Sequence, residues 1–248
     1  MKYTLEICCD SITSVDAAIA GGAHRIELCT ALSVGGLTPS AALIEKSIER
    51  NKVPVFVLIR PRIGDFIYSE AEKEILFRDI VHARSLGVAG IVSGALNADG
   101  SIDEETSRQI VRLASPLPCT FHRAFDYVKD FSASLEIIIN CGFQRILTSG
   151  GAATAFDGIQ ILKELNQKAN NRIHILAGGG INDKNIAGIA TETDISEFHA
   201  SAKITFSGNA TYKESNTLIS APNLTDESDY FLTDTAQVEA LLKSLDAV

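Results

Sequence analysis

Glu6-Ile7-Cys8 and Glu27-Leu28-Cys29 repeat one spacing, a carboxylate and a thiol two residues apart, in two short β-rich runs near the start of the chain. Side chains two apart on a strand share a face, so each run offers an acid and a thiol to the same side. Thiolates are soft ligands that favour thiophilic metal ions over harder cations, which makes Cys8 and Cys29 the candidate metal ligands. Neighbouring strands lie ~4.8 Å apart. Two thiolates on one ion need about the same separation, roughly 4.6 Å at ~2.3 Å per metal–sulfur bond (the zinc value). The two glutamates oppose thiolate formation until a cation arrives. Simple packing is the competing reading for both cysteines, since free cysteine is often a small buried hydrophobe.

A second set of residues suits acid–base chemistry on an anion. Glu6, Glu27, His122 and His199 are candidate proton carriers, and Arg60 is a candidate clamp. Arg60 and Arg62 bracket Pro61, with Asp65 close behind. Gly178-Gly179-Gly180-Ile181 and His199-Ala200-Ser201-Ala202 end two late β-rich runs, where glycine would let backbone N–H groups approach an anion. Arg62, Gly179, Gly180 and Ser201 are therefore the candidate anion-binding residues. Glycine-rich turns are also simply turns, and buried charges also form structural ion-pair networks, here Glu6 and Glu27 balanced by Arg60 and its neighbours. Lysine-based aldolase chemistry has little support, because Lys203 lies past the last of these runs. Neither a H-E-x-x-H pair nor paired C-x-x-C motifs for zinc occur.

These residues need a frame that turns them toward one place. Strand-like runs begin near Thr4, Arg25, Pro54, Ala89, Cys119, Arg145, Ile173 and Ser196, at intervals of 21 to 35 residues, the length of a βα unit. Helix signals fill the intervals. Thr38-Pro39 reads as an N-cap with proline at the first helical position, Ser69 with Glu72 as a capping box, and Asp103, Ser132, Asp157 and Asn182 as further caps. Eight such units without a domain-sized interruption predict a TIM-barrel-like (β/α)8 fold. An open dinucleotide-binding sheet is disfavoured, because the first turn, Cys9-Asp10-Ser11, lacks glycine.

The chain reads as one domain over 1–248, with a barrel core at about 3–203 and an irregular last unit plus C-terminal helix at 204–248. Lys203 to Leu232 is polar and reads as a long loop, either a functional cover, an oligomer contact or plain surface. Helical spacing returns at Val238, Leu241, Leu242 and Leu245. Barrel strands must turn their apolar set to the helices. That phase points Glu6, Cys8, Glu27, Cys29, Phe56, Leu58, Arg60, Thr120, His122, Thr148, Glu197 and His199 inward, toward the C-terminal mouth where barrel enzymes place their chemistry. Cys9 points to the helices.

The 248 residues carry a formal net charge of −9, with 46% hydrophobic residues. The acidic balance argues against nucleic acid and against an anionic membrane surface. No apolar run approaches the ~20 residues of a membrane span, and Glu6 comes too early for a signal-peptide core. A cytoplasmic protein is expected, with its five cysteines as free thiols. Asn209-Ala210-Thr211 and Asn223-Leu224-Thr225 are then chance sequon matches.

Several blocks together resemble the CutC family. They are Leu5-Glu6-Ile7-Cys8-Cys9, Arg25-Ile26-Glu27-Leu28-Cys29, Gly35-Gly36-Leu37-Thr38-Pro39, Ile59-Arg60-Pro61-Arg62 with Gly64-Asp65-Phe66, Thr120-Phe121-His122-Arg123-Ala124-Phe125-Asp126, Leu147-Thr148-Ser149-Gly150 and Glu197-Phe198-His199. They occur in family order over roughly residues 3 to 203. The resemblance implies a TIM-barrel-like cytosolic copper homeostasis protein, commonly a homo-oligomer, that binds or handles copper(I) at the cysteines here numbered Cys8 and Cys29. The alternative is a barrel enzyme acting on a small anionic or phosphorylated metabolite. Where the family tends to carry an aromatic-Arg-Asn tripeptide, this chain reads Tyr212-Lys213-Glu214.

Overall fold

The computed structural model describes residues 2–50, 52–208 and 229–248. Eight parallel strands close into a barrel: β1 (Thr4–Cys9), β2 (Arg25–Leu28), β3 (Val55–Leu58), β4 (Gly90–Ser93), β5 (Cys119–Phe121), β6 (Arg145–Thr148), β7 (His174–Gly178) and β8 (Glu197–Ala200). Each starts within one residue of the run read from the sequence. Strands this short, buried on both faces, read as apolar runs broken only at inward positions. Helices α1 (Ile12–Ala20), α2 (Ala41–Ile48), α3 (Glu70–Ser85), α4 (Glu104–Ala114), α5 (Phe131–Cys141), α6 (Ile159–Ala169) and α7 (Ile186–Thr193) connect them, and α8 (Thr235–Asp246) ends the chain.

The apolar alternation holds. Leu5, Ile7 and Cys9 join the core shared with the helices, whereas Cys8, Cys29, Phe56, Leu58 and Val92 form a separate buried cluster inside the barrel. Gly90 makes room for Phe56, because a Cβ there would stand 2.4 Å from its ring. An inward phenylalanine beside a glycine is the large-beside-small packing that fills a barrel interior.

Several sequence expectations need correction. Ser69 and Glu72 do form the capping box of α3, and Asp103 caps α4. The cap of α2, however, is Ser40, two residues after Thr38. The Thr38 hydroxyl instead serves the backbone of Arg60, tying the loop after β2 to the end of β3. Asp130 rather than Ser132 caps α5, and Gly158 rather than Asp157 stands at the N-cap of α6, with no side-chain cap. The residue before α7 is Asn185, whose side chain accepts from the Asn182 N–H. Local sequence offers two or three capping residues in each loop, and strand-to-helix geometry chooses among them.

The segment read as a long loop also differs. Its ends pair as an antiparallel ribbon, β9 (Lys203–Phe206) with β10 (Tyr230–Thr233), which delivers α8 against the barrel. There Val238, Leu241 and Leu245 are buried, and the Thr233 hydroxyl lies 3.9 Å from the Cys9 sulfur. Tyr212-Lys213-Glu214 and both sequons lie outside the described residues.

Candidate functional site

The barrel interior is charged at its N-terminal end. Arg25 donates through Nε to Glu6 and through Nη2 to Glu197 at 2.7 Å, while the Arg145 Nε donates to the same Glu197 oxygen at 2.8 Å. The Phe56 ring packs against both cations, its centroid 5.1 Å from the Arg25 guanidinium carbon and 5.5 Å from that of Arg145. Burial alone would raise the Glu6 carboxyl. The Arg25 guanidinium and His199 outweigh that and hold it down at about 2. Glu197 is likewise lowered, with Arg25 and Arg145 overcoming burial.

This network corrects the expected one, because Arg60 does not balance Glu6 and Glu27. Arg60 stands beyond the C-terminal end of β3, and its guanidinium donates to the carbonyls of Val34, Gly36 and Gly64. The counterions are instead Arg25 and Arg145. The signal was present, since Arg25 continues the inward set Glu27 and Cys29, and Arg145 alternates with helix-facing Ile146.

Above the network, thiols and titratable groups converge. The Glu6 Oε1 lies 2.7 Å from the His199 Nδ1. Burial would lower the His199 imidazole, but Glu27 and Glu6 raise it. Cys8 lies 3.5 Å from the Glu27 Oε1 and 3.7 Å from the Cys29 sulfur. The hydrogen bond with Cys29 raises the Cys8 thiol most, and burial adds to it. Burial also raises Glu27, and its Oε2 has no hydrogen-bond partner among the described residues. Ligand atoms of Cys8, Glu27 and His199 all lie within 4.8 Å of one another. The sequence reading paired the thiols. The pairing of β1 with β2 sets Glu27 opposite Cys8, and only the closed barrel, which sets β8 beside β1, adds His199.

A cavity of about 410 Å³ opens above this floor, within the range of small-molecule sites. Cys8, Glu27 and His199 reach its floor, Arg60 and His122 line one wall, and Gly179, Gly180 and Ser201 line another. Arg123 also lines it, held by Asp126 at 2.7 Å and by the Ser149 hydroxyl at 2.8 Å. Arg62 does not line it. Its guanidinium is spent outside, on Glu72 at 2.6 Å and Asp65 at 2.9 Å, where it staples the loop before α3. Cys29 lies behind Cys8, under Gly36, where a Cβ would stand 3.4 Å from the Cys29 sulfur.

The CutC family model matches residues 3–204. The chain belongs to the CutC family. The copper homeostasis protein cutC homolog of Homo sapiens is 41% identical over 239 residues, covering 96% of this chain and 88% of that protein. A family protein CutC of Bacteroides fragilis is 47% identical over 213 residues, covering 86% of this chain and 85% of that one. Among solved structures, a CutC protein of Streptococcus agalactiae superposes with a TM-score of 0.77 at 33% identity, over 80% of this chain and 98% of that one. Thiamine phosphate pyrophosphorylase of Pyrococcus furiosus, at 14% identity and TM-score 0.60 over 99% of this chain and 96% of that one, shares the fold alone. Within this CutC chain, no helix among the described residues is long and apolar enough to cross a membrane.

Proposed function

We propose that this CutC protein handles copper(I) in the cytoplasm, taking the ion as cargo at Cys8 and Cys29. The observation that carries the reading is the thiol pair, two buried sulfurs 3.7 Å apart, with Cys8 at the floor of the open mouth and Cys29 directly behind it. A linear two-thiolate ion needs about 4.6 Å at ~2.3 Å per bond, so for that geometry the sulfurs must part by roughly 0.9 Å, within reach of small χ adjustments, and a site with further ligands needs less. Glu27 and His199 stand close enough to add harder ligands. The unpartnered Glu27 Oε2 fits a site with spare donor capacity. The copper homeostasis name of the human relative supports the same cargo.

The test is a Cu(I) competition titration with a calibrated chelator on wild type and on Cys8→Ser, Cys29→Ser and Cys9→Ser. The first two substitutions should each abolish tight one-to-one binding. Cys9→Ser should leave it intact, because that sulfur packs against the helices. Equal affinity in all four proteins removes the site.

A second reading, a barrel enzyme acting on a small anionic or phosphorylated metabolite, is favoured by the mouth itself. A cavity of about 410 Å³ is far larger than one ion needs. Acid–base work there would fall to Glu27 or to His199, whose imidazole Glu6 orients.

A further inference from the structure

Two buried donors beside the mouth have no partner among the described residues: the Arg60 Nε and the His122 Nε2. A buried donor left without a partner destabilises the fold unless something else accepts from it. The His122 Nδ1 accepts from the Ala124 N–H at 3.3 Å, which assigns the ring proton to Nε2. Burial and the neighbouring Arg60 push the imidazole down to about 3, so His122 is a neutral donor at neutral pH.

Both groups pack on one aromatic ring. The Arg60 guanidinium carbon lies 5.0 Å from the Phe66 centroid, and the His122 ring centroid lies 4.8 Å from it. Arg60 gives three of its five N–H groups to backbone carbonyls, two from Nη1 and one from Nη2, so its end-on fork is taken up. The Nε–H is left without a partner among the described residues, and the His122 Nε2–H adds a second unmet donor. Around them the wall is largely apolar, with Leu58, Phe66, Tyr127 and Leu147.

We infer that the mouth binds a small organic carboxylate, one oxygen taken by the Arg60 Nε–H and the other by the His122 Nε2–H. Two single donors match the two oxygens of a planar carboxylate, and the apolar wall suits an organic body. A phosphate, with more oxygens to satisfy, is less well served by this pair. Arg60 lines the mouth with its side chain on carbonyls rather than on a carboxylate, so its positive charge also favours an anion. This inference deepens the small-metabolite reading of the mouth and does not depend on the thiol site.

The experiment is calorimetric titration of the metal-free full chain with pyruvate, benzoate and inorganic phosphate. At least one carboxylate should bind saturably, in the millimolar range or tighter, and phosphate should bind more weakly. His122→Asn keeps an acceptor for the Ala124 N–H but removes the Nε2 donor, and should weaken carboxylate binding about tenfold. If that variant does not fold, the His122 Nε2 resonance of the wild type is followed by NMR and should move on titration. Absence of saturable carboxylate binding, unchanged affinity in folded His122→Asn, a stationary resonance, or tighter phosphate binding each overturns the assignment. Phosphate binding without carboxylate binding overturns the inference but keeps the small-anion reading of the mouth, and no binding of any of the three probes counts against both.

Discussion

Arg25→Met is the sharpest test of the interior network beneath the site. It removes the cation that Glu6 contacts and one of the two that hold Glu197, leaving Arg145 on Glu197 and His199 on Glu6. Glu6 is fully buried, so its charge cannot be rehydrated. Its carboxyl is held down to about 2 by Arg25 and His199 against the opposing effect of burial. Breaking a buried pair on one side costs roughly 3–5 kcal/mol, so the variant should lose about 3 kcal/mol at pH 7 in urea denaturation. The sign with pH follows. A carboxyl lowered in the folded state contributes stability fully above its unfolded value, and that stability is lost as pH falls from about 4.5 toward 2. The gap between wild type and variant should therefore narrow on acidification through that window. Glu27, raised by burial, contributes the opposite slope to both proteins, so the difference between the two curves is the quantity to read. Replacing Glu6 as well, in Arg25→Met with Glu6→Gln, should recover part of the loss. A gap below about 1 kcal/mol at pH 7, or one that does not change with pH, would show that Arg25 does not hold Glu6 in this way.

Gly90→Ala should destabilise by about 1–3 kcal/mol, the usual range for overpacking, because its Cβ would meet the Phe56 ring at 2.4 Å. Thermal denaturation within a degree of wild type would refute that account of the interior. Copper(I) uptake should release protons, since the Cys8 thiol is raised by Cys29 and burial and must deprotonate to ligate. Apparent affinity should then climb from pH 6 to pH 8 in chelator competition, and a flat profile would count against thiolate ligation.

Eight βα units, their inward phase and the thiol–carboxylate spacing are local properties, and the sequence alone determines them. Periodicity of two along a strand is imposed by the pleat wherever one side must be apolar. That is why Cys8 and Cys29 can be turned inward and Cys9 outward without coordinates. Partners are another matter. Glu197 and Glu6 are 191 positions apart in the chain and meet Arg25 only because β8 closes against β1. Arg60 looked like the natural counterion, but the chain just past β3 carries its guanidinium up to the carbonyls of two loops. Arg62 looked equally available, yet its loop turns it outward to Glu72. Caps within two or three residues of one another have nearly equal local energies, so the docking angle of each helix decides between Thr38 and Ser40. The sequence determines which side chains face the axis, because that follows from each strand by itself. Which charge answers which, and which donors are left unmet beside the mouth, depends on barrel closure and loop paths, and those exist only in the assembled fold.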